Sequence, residues 1–126
     1  MTRTTISVPA KPEWALVLRT ALSGIGTVAN LSLDMIDDLR TASDEAFDLL
    51  THQLREAVRI TLECDLVDDK LMISLHAERA HHYQECTPVD PEIAQLIIGT
   101  LVTDVQMEGD KCGIYSIHMS LPAKAS

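Results

Sequence analysis

Thr4 to Val8 alternates between apolar and polar residues, with Ile6 and Val8 on one side. That period of two predicts a short strand, ended by Pro9. The period then changes. Pro12 and Glu13 suit a first helical turn, where a missing N–H costs nothing and an acid meets the dipole. Trp14, Val17, Leu18, Ala21, Leu22 and Ile25 follow at helical spacing, with Gly24 and Gly26 read as the helix end. Ser32 is an N-cap ahead of Asp34, Asp37 and Asp38. Ile36, Leu39, Ala46, Phe47, Leu50 and Leu54 make one stripe, predicting a long helix from about Leu33 to about Gln53. Val58, Ile60, Leu62 and Cys64 alternate again, as do Leu71, Ile73, Leu75 and Ala77. The acidic turn at Asp68–Lys70 makes the pair a β-hairpin. Arg79 to Asp90 reads as a loop. Pro91 opens a helix carrying Ile93, Leu96, Ile97, Leu101 and Val105. After the turn Gly109-Asp110-Lys111, Cys112 to Leu121 closes as a strand with Tyr115, Ile117, Met119 and Leu121 together.

The order is thus β-α-α-β-β-α-β. Cleanly alternating strands need one covered face, and three amphipathic helices suffice to cover it. The economical solution is an α+β, two-layer sandwich with a mostly antiparallel sheet and helices on one side.

The length of 126 residues fits a single domain, 1–126, with a real core. Aromatics are only 3% of the chain, so that core is aliphatic. Acidic residues outnumber basic ones 19 to 10, for a formal charge of −9. Such a balance opposes a phosphate-tracking surface and docking on anionic lipid, so neither nucleic acid nor membrane is expected as a partner. The start of the chain has no signal-peptide pattern, and the run Ile93 to Val102 is too short to span a bilayer. Three widely spaced cysteines, Cys64, Cys86 and Cys112, fit free thiols in a reducing cytoplasm.

Several short words resemble the anti-sigma-factor serine kinases of the RsbW type. They are Val8-Pro9-Ala10-Lys11-Pro12-Glu13-Trp14, Leu22-Ser23-Gly24-Ile25, Ser43-Asp44-Glu45-Ala46 and Leu101-Val102-Thr103-Asp104-Val105. The likeness runs through nearly the whole chain in order and spacing. It implies the Bergerat ATP-binding sandwich of the histidine-kinase-like (GHKL) ATPases. It also implies a homodimer, a sigma factor or a STAS-domain antagonist as protein partner, and ATP with magnesium as cofactor.

The resemblance supplies three nucleotide motifs to compare with these residues. The first is a Glu as general base with a magnesium-ligating Asn four residues later. Glu45 matches the Glu, but Leu49 holds the Asn position and offers a hard cation no oxygen. Asp48, beside it, points to another helical face. The second is an adenine-binding Asp and a Gly two residues on; here these are Ala77 and Arg79. The third is a glycine-rich phosphate cradle at a helix start. Pro91-Glu92-Ile93-Ala94 stands there, without an N–H at its first position and with an acid at its second. A lost hydrogen bond to a charged group costs roughly 1.5–3 kcal/mol, so three losses cost roughly 4–9 kcal/mol. The expectation is a regulatory binding domain whose ATP binding and kinase activity are lost or weak, with no cofactor. An active protein serine kinase with a divergent pocket, using Glu45 as its base, is the alternative. A third reading reuses the vacated pocket for a metal or small ligand. His81, His82 and Cys86 share one predicted loop, but two adjacent His and one Cys are not a zinc spacing, so no metal is expected. Asp34, Asp37, Asp38 and Asp44 form an acidic helix face suited to solvent or to a basic partner. His76 and His118 fall on the polar phase of their strands.

Overall fold

The computed structural model describes residues 3–123. Five strands and three helices follow the order β1 (Arg3–Pro9), a single 3-10 turn at Pro12–Trp14, α1 (Ala15–Val28), α2 (Leu33–Thr51), β2 (Arg55–Val67), β3 (Lys70–Tyr83), α3 (Pro91–Leu101), β4 (Asp104–Asp110) and β5 (Gly113–Pro122). The strands form one antiparallel sheet, β1-β2-β3-β5-β4. Helices cover one face, so the two-layer α+β sandwich expected from periodicity is what forms.

The core is aliphatic around a single Phe47. Leu39, Ala46, Phe47, Leu49 and Leu50 of α2 lie over Ile60, Leu62, Leu71, Ile73, Leu75 and Ile117 of the sheet, all buried. Ser32 caps α2 as expected, its hydroxyl accepting from the Met35 amide at 3.2 Å. Asp68 and Asp69 both take positive φ (50° and 63°), the geometry of a two-residue hairpin turn whose twist matches its strands.

Five features depart from the sequence reading. α1 does not stop at Gly24 or Gly26 but runs to Val28. It ends where Asn30 turns left-handed (φ 59°) and the Leu31 amide reaches back to the Gly26 carbonyl at 3.0 Å. Gly26 serves packing instead: a Cβ there would stand 3.0 Å from Ile36 of α2. β3 continues to Tyr83, so His81 and His82 lie on a strand and not in a loop. α3 ends at Leu101, and Val105 belongs to an additional strand, β4, which makes the order β-α-α-β-β-α-β-β. Val105 sits four residues after Leu101 and so mimicked a helical position, yet it also alternates with Met107. The register of β2 shifts between Ala57 and Arg59, which buries Ala57 and turns Val58 outward, 51% exposed. Finally, α3 buries Ala94 and Ile98, while Ile93, Leu96 and Ile97 face solvent.

Candidate functional site

Glu45 and Leu49 sit one turn apart on α2 and therefore share a face. Glu45 is half-buried, and its carboxylate pairs with no side chain among the described residues. Leu49 is buried in the core cluster. The preceding carboxylate, Asp44, is tied to Arg19 of α1 at 2.9 Å, while Asp34, Asp37 and Asp38 stay exposed. Part of the acidic face of α2 is thus spent on joining the first two helices.

Ala77 and Arg79 lie on the helix-facing side of β3, opposite Ile60 and Ala57. Ala77 is half-buried and contributes only a methyl. The Arg79 side chain is 9% exposed and its guanidinium is fully engaged within the fold. Its Nη1 donates to Gln53 Oε1 and to Asp110 Oδ1, both at 3.0 Å, and its Nη2 donates to Asp110 Oδ2 at 2.7 Å. The guanidinium also lies 5.1 Å from the centroid of the Tyr115 ring. This is a two-pronged ion pair with a stacked face, the arrangement in which Arg is held most firmly. The pair holds the Asp110 carboxyl well below the usual carboxylate range, first through the Arg79 hydrogen bond and then through the Cys112 amide. It raises the Arg79 pKa, the Asp110 hydrogen bond outweighing burial.

Gln53 is the second anchor, and the sequence reading missed it. It is a buried polar residue just beyond α2, 1% exposed. Its Nε2 donates to the Leu50 carbonyl at 2.6 Å and to the Ile114 carbonyl at 2.9 Å, while its backbone carbonyl accepts from Gln84 Nε2 at 2.9 Å and from Cys86 Sγ at 3.0 Å. The Val89 amide donates to the His52 carbonyl at 3.3 Å. The 84–90 segment is thereby laced across the C-terminal end of α2.

The start of α3 completes the picture. Asp90 is its N-cap, with Oδ1 accepting from the Glu92 amide at 2.9 Å, and Pro91 has no N–H to give. A carboxylate of the chain itself thus holds one of the amides at the start of α3. Leu49, Gln53, Pro88, Pro91, Asp110 and Gly113 are among the residues lining a cavity of about 220 Å³. Glu45 and Ala77 do not line it. Pockets that take a cofactor run to roughly 300–1,000 Å³. Of the positions compared, Glu45 alone keeps an unpaired oxygen donor: Leu49 and Ala77 offer none, the Arg79 guanidinium is engaged, and the Asp90 carboxylate caps α3.

The other candidates are dispersed. His82 pairs with Glu56, the Cys86 thiol is turned to Gln53, and His81 is exposed. Among the described residues, no three His, Cys, Asp or Glu converge as a metal would require. His76 and His118 do fall on the uncovered sheet face, as their phase predicts. They meet edge to face with centroids 5.6 Å apart. His76 bonds Ser116 at 2.7 Å, and His118 bonds Ser74 and Glu108 at 2.9 and 2.8 Å. Burial pushes the Cys64 thiol up to about 12, which fits an inert core residue.

No protein-family model matches the chain. Among curated proteins, it is 36% identical over 75 residues to a protein named Serine-protein kinase RsbW from Listeria innocua, covering 55% of this chain and 46% of that protein. The same figures hold for the protein of that name from Listeria monocytogenes. A third, from Bacillus cereus, is 27% identical over 123 residues, covering 84% of this chain and 77% of that protein. The chain spans about half the length of the Listeria relatives it matches. The resemblance drawn from the short words of the sequence is borne out: the chain is similar to RsbW-type serine-protein kinases. Among the described residues, no helix is long and apolar enough to cross a membrane.

Proposed function

We propose that this chain is a regulatory protein-binding domain of the anti-sigma-factor type that acts with little or no use of ATP. Its partner is a sigma factor or a STAS-type antagonist. Its mechanism is competition for surface: one protein is held until a second displaces it. Homodimerisation in the cytoplasm is part of the same reading. The observation that carries it is the Arg79–Asp110–Gln53 lock. Where a nucleotide-binding relative needs a bare glycine, this chain keeps a guanidinium engaged on three hydrogen bonds. Leu49 at the magnesium position and Asp90 on the α3 amide weigh the same way.

Calorimetric titration of the purified chain with ATP and magnesium tests this directly. The expected result is no heat of binding at micromolar nucleotide, and no transfer of labelled phosphate to serine on a co-purified partner. Micromolar affinity would overturn the reading. It would favour the alternative, an active serine kinase with a divergent pocket, the activity for which the relatives are named. In that case Glu45→Gln would abolish transfer while leaving nucleotide binding in place.

A further inference from the structure

α3 is apolar on its outer as well as its inner face. Its inner face, Ala94 and Ile98, is buried. Its outer face carries Ile93, Leu96 and Ile97 at 55%, 73% and 37% exposure, with Thr100 continuing the same line. Positions 93, 96, 97 and 100 follow the i, i+3, i+4, i+7 rule, so they form one continuous stripe about 10 Å long. Three large aliphatic side chains in a row on a solvent face differ from scattered exposed apolar residues and mark a contact surface.

The charge around that stripe is one-sided. From 84 to 110 the chain has six acidic residues and no Lys, Arg or His. Two of the six are matched within the fold: Asp110 by Arg79 and Glu108 by His118. Glu85, Asp90, Glu92 and Asp104 have no ion-pair partner among the described residues, and all four are exposed. Asp90 and Glu92 flank the start of the stripe in sequence, and Asp104 follows its end.

We propose that the outer face of α3 is the docking surface for a basic amphipathic helix of a partner protein, with its apolar line on Ile93, Leu96 and Ile97 and its Lys or Arg rim toward the carboxylates. This deepens the regulatory reading above and rests on it. The charge selects this occupant. A second copy of the chain would bring the same unmatched acids against themselves, and an anionic bilayer would be repelled. A helix suits the straight, single-file stripe, because its own i, i+3, i+4 ridge fits the spacing.

The test uses a fluorescent 18-residue Leu/Lys peptide patterned as an amphipathic helix, titrated with the chain and followed by anisotropy. A Leu/Glu peptide of the same pattern and a Leu/Lys peptide with the leucines spread round the helix serve as controls. Wild type is expected to bind only the patterned basic peptide. Ile93→Ser with Leu96→Ser is expected to weaken it about tenfold or more. Glu92→Gln with Asp104→Asn, which leaves the apolar stripe untouched, is expected to weaken it less and to flatten its salt dependence. Leu16→Ser with Val28→Ser on α1, and Asp34→Asn with Asp37→Asn on α2, are expected to stay within about twofold of wild type. Thermal melts confirm that each variant is folded. The proposal is overturned if no peptide binds, or if the α3 double variant binds as wild type does. It is also overturned if the α1 or α2 variants lose as much. Stripe-dependent self-association in sedimentation, or stripe-dependent binding to phosphatidylcholine vesicles, would assign the face to another occupant. ATP binding in the calorimeter would sink the regulatory reading alone and leave the peptide result to stand or fall by itself.

Discussion

Arg79 exchanges water for two carboxylate oxygens and one amide oxygen, and that exchange depends on Asp110 remaining ionised. The folded pKa of Asp110 lies below its unfolded value, so the carboxylate contributes stability that is fully present above the unfolded value of about 3.9. That contribution is lost as pH falls from there through the folded value. In urea titrations, the difference in unfolding midpoint between wild type and Asp110→Asn is therefore expected to be largest above about pH 5 and to close as pH drops below about 4. A gap independent of pH would mean that the lock does not rest on the charge. Leu49 gives a complementary prediction. Leu49→Asn restores the oxygen that the resemblance asks for, but in a position only 1% exposed. It is expected to cost about 2–4 kcal/mol of stability in chemical unfolding, from lost packing and a buried amide. Calorimetry is expected to register no gain in ATP affinity, because Arg79 and the Asp90 cap remain. These two side chains were readable as misfits from residue type alone. Gln53 and Asp110 were not. Asp110 stood in an obvious turn, and its partner is 31 residues away, a pairing that no local pattern encodes.

Helix α2 and the central hairpin were legible because their periods are clean and their ends carry strong chemistry. Ser32 caps, and two aspartates accept the left-handed turn. Ser32→Ala is expected to lower stability by about 1 kcal/mol in urea unfolding, with no change in the shape of the circular dichroism spectrum. Elsewhere the period was ambiguous for physical reasons. α3 holds Ile93, Ala94, Leu96, Ile97 and Ile98, apolar round most of its circumference, so more than one stripe fits the helical period. The side that is buried carries Ala94 and Ile98 and turns toward α2 and β4, so position and not side-chain size decides it. Val105 itself satisfied two periods at once, and the one that won is the one whose neighbours, Gln106 and Glu108, need an outer sheet face. At Val58 a single unpaired residue in the β2 ladder reverses the phase, so strict alternation gave the wrong side beyond that point.

The parts of the molecule meet at the far end of α2. Gln53 joins the last turn of that helix to β5 and to the Arg79 guanidinium. The Leu54 amide donates to the Cys112 carbonyl at 2.9 Å, and the Gln84 amide donates to the Leu54 carbonyl at 2.9 Å. One residue makes room for this knot. Gly113 opens β5 with a φ of 139°, a conformation L side chains rarely adopt, and a Cβ built there would stand 2.5 Å from Gln53 Cβ. Gly113→Ala must therefore either strain its own backbone or push Gln53 from three hydrogen bonds inside a buried site. The expected cost is roughly 2–5 kcal/mol. The loss should not stay local. Hydrogen exchange is expected to speed together at the amides of Leu54, Gln84 and Val89, all of which bond to or from the 52–54 segment, while the Ile73–Met119 ladder in the middle of the sheet keeps its protection relative to the global unfolding limit. Uniform acceleration across all these amides would mean that Gly113 matters only to global stability. Loss confined to the 52–54 partners would identify the knot as a separately opening unit, and so as the hinge by which the 84–90 segment and α3 beyond it could shift when a partner binds.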